Sequence, residues 1–109
     1  MRNPKASDFE KNRNAVDSPT AKNFRPKRRA DVRTRVVEGE TVVLDRREEF
    51  VHQFNKTASY IWERCNGLYT PDEITYDLCQ VFDVDFSTAH RAVLVTIEKL
   101  QQSKLLEVS

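Results

Sequence analysis

Polar and apolar residues alternate in three short stretches after residue 30, and this pattern predicts three β-strands. Residues 32–37 alternate as in a strand with one buried face. The turn Glu38-Gly39-Glu40 leads into a β-branched run at 41–44, which is typical of the returning strand of a hairpin. After a polar loop, the alternation resumes over 49–54. We therefore expect a three-stranded antiparallel meander, which is marginal unless a further layer covers one face.

Apolar residues then recur at helical spacing in three segments, each with a recognisable start. A helix over 55–65 begins with an asparagine, which is a good N-cap. The second begins at Thr70-Pro71-Asp72-Glu73, which combines a capping box with a proline at the first helical position. An aspartate begins the third and longest, over 85–103. A final apolar run at 105–108 is expected to form a short strand or to pack on the helices.

This order of elements predicts an α+β fold, with a three-stranded antiparallel sheet followed by three helices. The arrangement is similar to a winged helix-turn-helix, and we assign residues 31–109 to it. Trp62 lies on the apolar stripe of the first helix and is predicted to be a core residue.

Charge divides the chain into two unlike parts. Residues 1–35 carry eleven Lys and Arg against four Asp and Glu, whereas residues 36–109 carry seven against thirteen. We interpret residues 1–30 as a basic arm and expect disorder through about Arg29, because this composition buries little apolar surface to offset the ordering entropy. Its densest patch, FRPKRR at 24–29, is either a solvated tail or an electrostatic contact for an acidic protein or nucleic acid.

The reactive residue types occur in no arrangement that predicts catalysis. Cys65 and Cys79 lack the spacing of a zinc site or a disulfide scaffold and are interpreted as buried thiols of a reducing cytosol. His52 and His90, the two histidines, belong to no nucleophile–base motif, and two glycines cannot form a phosphate loop. The sequence shows neither a signal peptide nor an apolar span of membrane length. We therefore expect a cytoplasmic binding protein without catalytic residues, metal or cofactor.

Two binding surfaces are available to such a domain. As a DNA-reading helix, the third helix is poorly suited, because its outward positions include Val95 and Glu98. The alternative is the free edge of the strand at 49–54, which is a template for an added peptide strand or for a dimer. The third helix would wall a groove beside that edge. Leu94 lies off the main apolar stripe, so it either lines this wall or belongs to a wide core face.

Several segments together resemble the PqqD family. A strand leads into the pattern Asn-x-Thr-small-x-x-Ile-Trp-Glu, which consists here of Asn55, Thr57, Ala58, Ile61, Trp62 and Glu63. Residues 68–74 look like the start of that family's second helix, and residues 82–85 look like its break before the third. Residues 100–107 look like its C-terminal end, so the resemblance covers about 32–108.

The resemblance implies a peptide-recognition domain. Such a domain binds the leader of a ribosomally made precursor peptide and presents it to a modifying enzyme, which for PqqD is a radical S-adenosylmethionine enzyme. In the family the peptide adds as a strand beside the third strand, against the third helix. Carried over to this chain, the peptide-binding residues are Val51, His52, Gln53, Phe54, Arg91, Leu94, Val95 and Glu98.

Three functions are thus weighed against one another. The first is a non-catalytic peptide chaperone or adaptor, working as a monomer or a homodimer. The second is a winged-helix DNA-binding protein, whose binding would depend on the basic arm and fall steeply with salt. The third is a scaffold subunit whose partner is a large protein.

Overall fold

The computed structural model of the protein describes residues 23–107, and it contains three strands and three helices in that order. The strands form one antiparallel sheet in the order β1-β2-β3. The elements are β1 (Arg33–Val37), β2 (Glu40–Asp45), β3 (Phe50–Phe54), α1 (Lys56–Arg64), α2 (Pro71–Val81) and α3 (Phe86–Gln102). The predicted α+β fold, with its sheet before its helices, is confirmed.

A tight turn sets the register of the first two strands. Glu38 and Gly39 have φ values of 51° and 82°, which are the left-handed values that a two-residue hairpin of type I′ requires. The residues on either side, Val37 and Glu40, are directly paired. From this closing pair the register runs back along both strands to the pair Arg33 and Leu44.

The helix starts follow the capping signals in the sequence. The Asn55 side chain accepts a hydrogen bond of 2.8 Å from the Ala58 N–H at the first turn of α1. At α2, the Thr70 hydroxyl accepts from the Glu73 N–H, and the Glu73 carboxylate accepts from the Thr70 N–H, which completes the capping box. Pro71 occupies the first helical position, as predicted.

The core lies between one face of the sheet and the three helices. Its buried apolar side chains come from every layer: Val43, Ile61, Trp62, Ile74, Leu78, Val93, Ile97, Leu100, Leu105 and Leu106. Trp62 is 1% exposed, so the prediction that it is a core residue is confirmed. The helices thus cover the face of the sheet that would otherwise expose the apolar side of a marginal meander.

Residues 24–29, called the strap below, are part of this fold. Within the strap, Phe24 is 8% exposed, and the Arg28 and Arg29 N–H groups donate to carbonyls of Cys65 and Leu105 at 2.9 Å. Carbonyls of the strap in turn accept from the N–H groups of Gly67 and Glu107. The prediction of disorder through Arg29 is therefore wrong for residues 24–29. Residues 1–22 of the predicted arm lie outside the described residues.

Two of the strap's four cations, Arg28 and Arg29, are used inside the molecule. The Arg28 guanidinium donates to the Trp62 and Glu63 carbonyls at 2.7 and 2.9 Å, and so satisfies carbonyls at the end of α1. It also lies over the Trp62 ring, 5.6 Å from its centroid. Arg29 is 8% exposed and pairs with Asp45, which is completely buried. The basic patch that looked like a surface feature therefore contributes to the scaffold.

Candidate functional site

The outer edge of β3 is open in the part of the chain that the structure describes. On its inner side β3 pairs with β2, from Thr41 opposite Phe54 to Asp45 opposite Phe50. It is the last strand of the sheet, and the two isolated bridges in the molecule lie elsewhere. A strand edge of this kind presents unpaired N–H and C=O groups that a further strand can use.

The direction of these groups follows from two observations. The pair Val37 and Glu40 closes the two-residue hairpin, so Glu40 directs its backbone groups at β1 and Thr41, the next residue, directs its own at β3. The Ser59 hydroxyl confirms this geometry, because it accepts from the Thr41 N–H at 2.8 Å and donates to the Phe54 carbonyl at 3.2 Å. Phe54 therefore faces inward.

Alternation along β3 then assigns the remaining residues. Phe50, His52 and Phe54 direct their N–H and C=O groups at β2, whereas Val51 and Gln53 direct theirs at the open edge. The side chains follow the same alternation. Phe50, His52 and Phe54 lie on the face of the sheet that carries the buried residues of β2. Backbone contacts at the edge are thus available from Val51 and Gln53, and side-chain contacts under the helices from the other three.

A groove of about 540 Å³ runs between this edge and α3. Its strand side is formed by residues 50–54 and its helix side by α3, with the start of α1 at one end. Val51 and Val95, which lie on opposite sides of it, are 59% and 42% exposed. The lining residues of α1 and α3 and their flanks are Asn55, Thr57, Ala58, Ala92, Val95, Thr96, Lys99, Leu100 and Ser103. Apolar and small side chains form much of these walls.

A second hollow of about 270 Å³ continues the groove at the end where β2 turns into β3; we call it the turn-end hollow. Its walls are Glu48, Phe50, His52, Gln102, Ser103 and Lys104. Phe50, His52 and Ser103 line both spaces. The Nε2 atom of His52 is buried and has no hydrogen-bond partner in the described residues. The two spaces therefore form one path along β3 with chemically different ends.

Aromatic rings connect the groove to the core. The ring of His52 lies between those of Phe50 and Phe54, with centroid distances of 4.8 and 6.4 Å. The Phe54 ring in turn contacts Trp62 at 5.5 Å. Because Trp62 is fixed in the core, this row of rings holds the groove-facing side of β3 in place.

The structure brings together some of the predicted site residues and leaves others apart. Val51, His52, Gln53 and Phe54 all line the groove, as does Val95. Arg91, Leu94 and Glu98 are not among its lining residues; Arg91 and Glu98 are exposed, and Leu94 is half-buried. The helix wall is instead formed by Ala92, Thr96 and Lys99 together with Val95.

Helical geometry explains the difference. Each residue turns the helix by about 100°, so positions 92, 95, 96 and 99 lie on one face. That face adjoins the buried stripe of Ala89, Val93, Ile97 and Leu100. Ala92 and Thr96 carry no strong apolar signal, whereas the prediction of Leu94 rests on its position off the main apolar stripe and on the family pattern. Spacing from Val95 in steps of three and four was the signal in the sequence that would have found them.

Two features of the described residues bear on metal binding and on thiol reactivity. They contain no group of three or more His, Cys, Asp or Glu side chains placed to hold a metal ion. Burial raises the pKa of the Cys65 thiol to about 12, so this sulfur is a poor nucleophile near neutral pH. In the part of the chain that is described, none of the helices is long and apolar enough to cross a bilayer.

An open strand edge beside a helix-walled groove is the geometry of domains that accept an extended chain as an added strand. The sequence comparison agrees with this class. The model of the family described as Coenzyme PQQ synthesis protein D (PqqD) matches residues 40–106, and the chain belongs to that family. The resemblance inferred from the sequence is therefore confirmed. No curated protein matches the chain significantly.

Solved structures share the fold. "TbiB1 in Complex with the TbiA(beta) Leader Peptide" has a TM-score of 0.69 at 24% identity, covering 76% of this chain and 96% of that one. "Lasso peptide synthetase B1 complexed with the leader peptide" has a TM-score of 0.68 at 20% identity, covering 77% and 99%. The PqqD part of Methylobacterium extorquens PqqCD, described as a stand-alone RiPP recognition element, has a TM-score of 0.63 at 25% identity, covering 76% and 88%.

Proposed function

We propose that this protein is a non-catalytic adaptor that binds the leader of a ribosomally made precursor peptide and presents it to a modifying enzyme. The bound peptide, called the guest below, adds to β3 as a fourth strand. Membership of the PqqD family supports this role, as does the description of the PqqCD fragment as a recognition element. Two proteins of the same fold are described in complex with leader peptides.

The observation that carries the proposal is the free backbone of Val51 and Gln53 beside the groove. Two outward residues offer two N–H and two C=O groups, which is enough to pair a short guest strand. Guest side chains that point under the helices would meet Phe54 and the wall of α3 around Val95. Side chains on the other face would remain in solvent. Binding would therefore depend on every second side chain of the guest.

The proposed binding residues have different roles. Val51 and Gln53 supply backbone groups, while His52 and Phe54 supply side chains on the groove side of the sheet. Val95 contributes an exposed apolar side chain from the opposite wall. Arg91, Leu94 and Glu98 remain predictions from the family pattern. To contact Arg91 and Glu98, a guest strand would have to extend beyond the groove and reach the outer face of α3.

The enzyme that receives the guest is proposed from the family alone to be of the radical S-adenosylmethionine type. Adaptor and enzyme would work on one guest, with the adaptor supplying the binding groove and the enzyme supplying the chemistry. The groove holds only a few residues of an extended chain. The rest of a precursor peptide would therefore extend beyond the domain and be free to enter an active site.

The test uses short peptides selected from a random display library against the full-length protein. A selected peptide is titrated into the isotopically labelled protein, and amide exchange is followed by NMR. We expect the Val51 and Gln53 amides to become protected on binding, whereas the His52 amide, which faces β2, is protected before the peptide is added. A library that yields no binder would contradict the adaptor role. Binders that leave the Val51 and Gln53 amides unprotected would contradict strand addition.

A further inference from the structure

The guanidinium of Arg29 joins three separate parts of the molecule next to the turn-end hollow. It donates two hydrogen bonds to the Asp45 carboxylate, at 2.8 and 3.0 Å, and two to Asp31, both at 2.9 Å. A further bond of 2.8 Å goes to the carbonyl of Lys104. All five N–H groups of this side chain are thus directed at oxygen atoms in a fixed fork.

Through Asp45, Arg29 holds the strand-side wall of the hollow. One oxygen of the Asp45 carboxylate accepts from the Arg47 and Glu48 N–H groups, at 3.1 and 3.3 Å, and so shapes the turn before β3. Glu48 lines the hollow, and Phe50 begins the strand two residues later. The position of this turn therefore depends on a carboxylate that Arg29 holds.

Through Lys104, the same guanidinium holds the helix-side wall. Lys104 follows the end of α3 and has a φ of 60°, a left-handed conformation that is uncommon for a lysine. Its carbonyl accepts from Arg29, and its neighbours Gln102 and Ser103 line the hollow with it. One side chain from the strap thus fixes both walls of the turn-end hollow relative to each other.

The walls of this hollow differ in chemistry from those of the main groove. Lys104 and Glu48 carry opposite charges, and Gln102 and Ser103 are neutral and polar, so the hollow favours neither sign of charge strongly. His52 is part of the wall, and its Nε2 atom is buried without a hydrogen-bond partner among the described residues. A buried polar atom without a partner is costly, so an entering group that bonds it is favoured.

We infer that the turn-end hollow is a second subsite of the groove that accepts a hydrogen-bonding side chain of the guest, and that Arg29 is its positioning residue. This inference rests on the proposed function, since it needs a guest on β3. It goes beyond the family comparison, because Arg29 lies outside the matched residues 40–106. The guest would then carry an apolar side chain beside Val95 and a polar one beside His52.

The test measures how each guest position depends on the subsite. Peptides are selected from a random display library against the full-length protein, and each residue of one binder is replaced by alanine in turn. Dissociation constants are measured for the wild type, Arg29→Met, Arg29→Lys and His52→Phe. Arg35→Met is the matched control, because Arg35 is an exposed arginine on β1 outside both spaces.

We expect one polar guest position at which alanine weakens binding to the wild type about tenfold, the scale of one well-made hydrogen bond. The same alanine should change binding to Arg29→Met and His52→Phe by less than about twofold, while alanines at apolar positions weaken binding to all the proteins alike. In Arg29→Lys, binding should depend in part on the polar guest position again, because lysine keeps the positive charge but not the fork of five N–H donors. The control should behave as the wild type.

A loss that is uniform over all guest positions would show that Arg29 acts on the fold alone and would overturn the inference. If neither Arg29 variant folds, as judged by circular dichroism, His52→Phe provides the test, since a phenylalanine ring at this position can pack between Phe50 and Phe54. The inference is then contradicted if alanine at the polar guest position weakens binding to this variant as much as to the wild type. Failure of the wild type to select any peptide would remove the proposed function together with the inference. If peptides do bind, but the Arg29 variants weaken binding equally at all guest positions, the inference about the subsite is contradicted and the proposed function is not.

Discussion

Replacing Val51 by proline separates binding from folding. The Val51 N–H faces the open edge, and the side chain is 59% exposed. Proline is tolerated on edge strands where the missing N–H faces away from the sheet, so the free domain should keep most of its stability. His52→Pro is the matched control, because its N–H faces β2 and its loss breaks a bond within the sheet.

The size of the effect follows from what a guest strand would lose. A guest carbonyl that bonds the Val51 N–H in the wild type would meet no donor in the variant. Removing one partner of a covered hydrogen bond costs about 1–3 kcal/mol, which raises Kd by about 5- to 150-fold. In His52→Pro the same penalty falls on the β2 carbonyl that faces residue 52, and it lowers the stability of the free domain instead.

The assay measures both quantities on the same samples. Fluorescence anisotropy with a labelled peptide from the display selection gives Kd, and urea unfolding gives the free energy of unfolding. We expect Val51→Pro to weaken binding while its unfolding midpoint stays close to that of the wild type. Unchanged binding to a folded Val51→Pro protein would refute strand addition at β3. If Val51→Pro unfolds and His52→Pro does not, the inferred direction of the backbone groups is wrong.

Three further outcomes are expected from the same geometry. Covering the exposed 42% of Val95 contributes about 1 kcal/mol on binding, so Val95→Ala should raise Kd about fivefold in the anisotropy assay, while Val81→Ala, outside the groove on α2, should not change it. Hydrogen bonding to Arg29 lowers the pKa of Asp31 from 3.8 to about 2 and also lowers the pKa of Asp45. Both carboxylates therefore stabilise the fold fully when the pH is above the pKa that they have in the unfolded chain. This stabilisation is lost as the pH falls through the lower pKa of each group in the folded protein. The urea midpoint should thus drop between about pH 4 and about pH 2, and it should drop less in Asp31→Asn. Cys65, with its pKa raised to about 12, should react with an alkylating reagent at about pH 8 only after the protein is unfolded, which mass spectrometry would detect.

Local signals in the sequence were sufficient for the elements of the fold. The capping box at Thr70 and the predicted helix at 85–103 correspond to observed starts and ends within a residue or two. These features depend on residues that are close in the chain, where propensity and capping act directly. The same is true of the hairpin at Glu38 and Gly39.

The strap shows what local signals omit. Arg29 lies among basic and polar residues, and its composition indicated a solvated tail. Its partners, Asp45 and Lys104, are 16 and 75 residues away in the chain. Contacts between such distant residues leave no periodic pattern, since Asp45 looks like an ordinary surface charge in the sequence and Lys104 contributes only its backbone carbonyl.

The helix wall of the groove was found only in part for a related reason. The apolar stripe of α3 identifies the buried face, but a groove wall lies beside that stripe and is only half covered. Side chains such as Ala92 and Thr96 suit a half-covered position because they leave space for a guest. Leu94 is more apolar than either but is not among the lining residues, and its part in binding remains a prediction from the family pattern. The structure was needed to show which flank of α3 faces β3.

The same reasoning bears on the DNA-binding alternative, which needs cations directed outward at phosphates. In the strap, the Arg28 guanidinium bonds carbonyls at the end of α1, and the Arg29 guanidinium is buried against Asp45. On α3, the exposed face that would enter a groove of DNA carries Glu98 as well as Arg91. A carboxylate at that position repels the phosphate backbone, and arginines held inside the fold cannot offset the repulsion. Among the described residues, the open strand edge and the groove beside it suit a peptide backbone better than a nucleic acid.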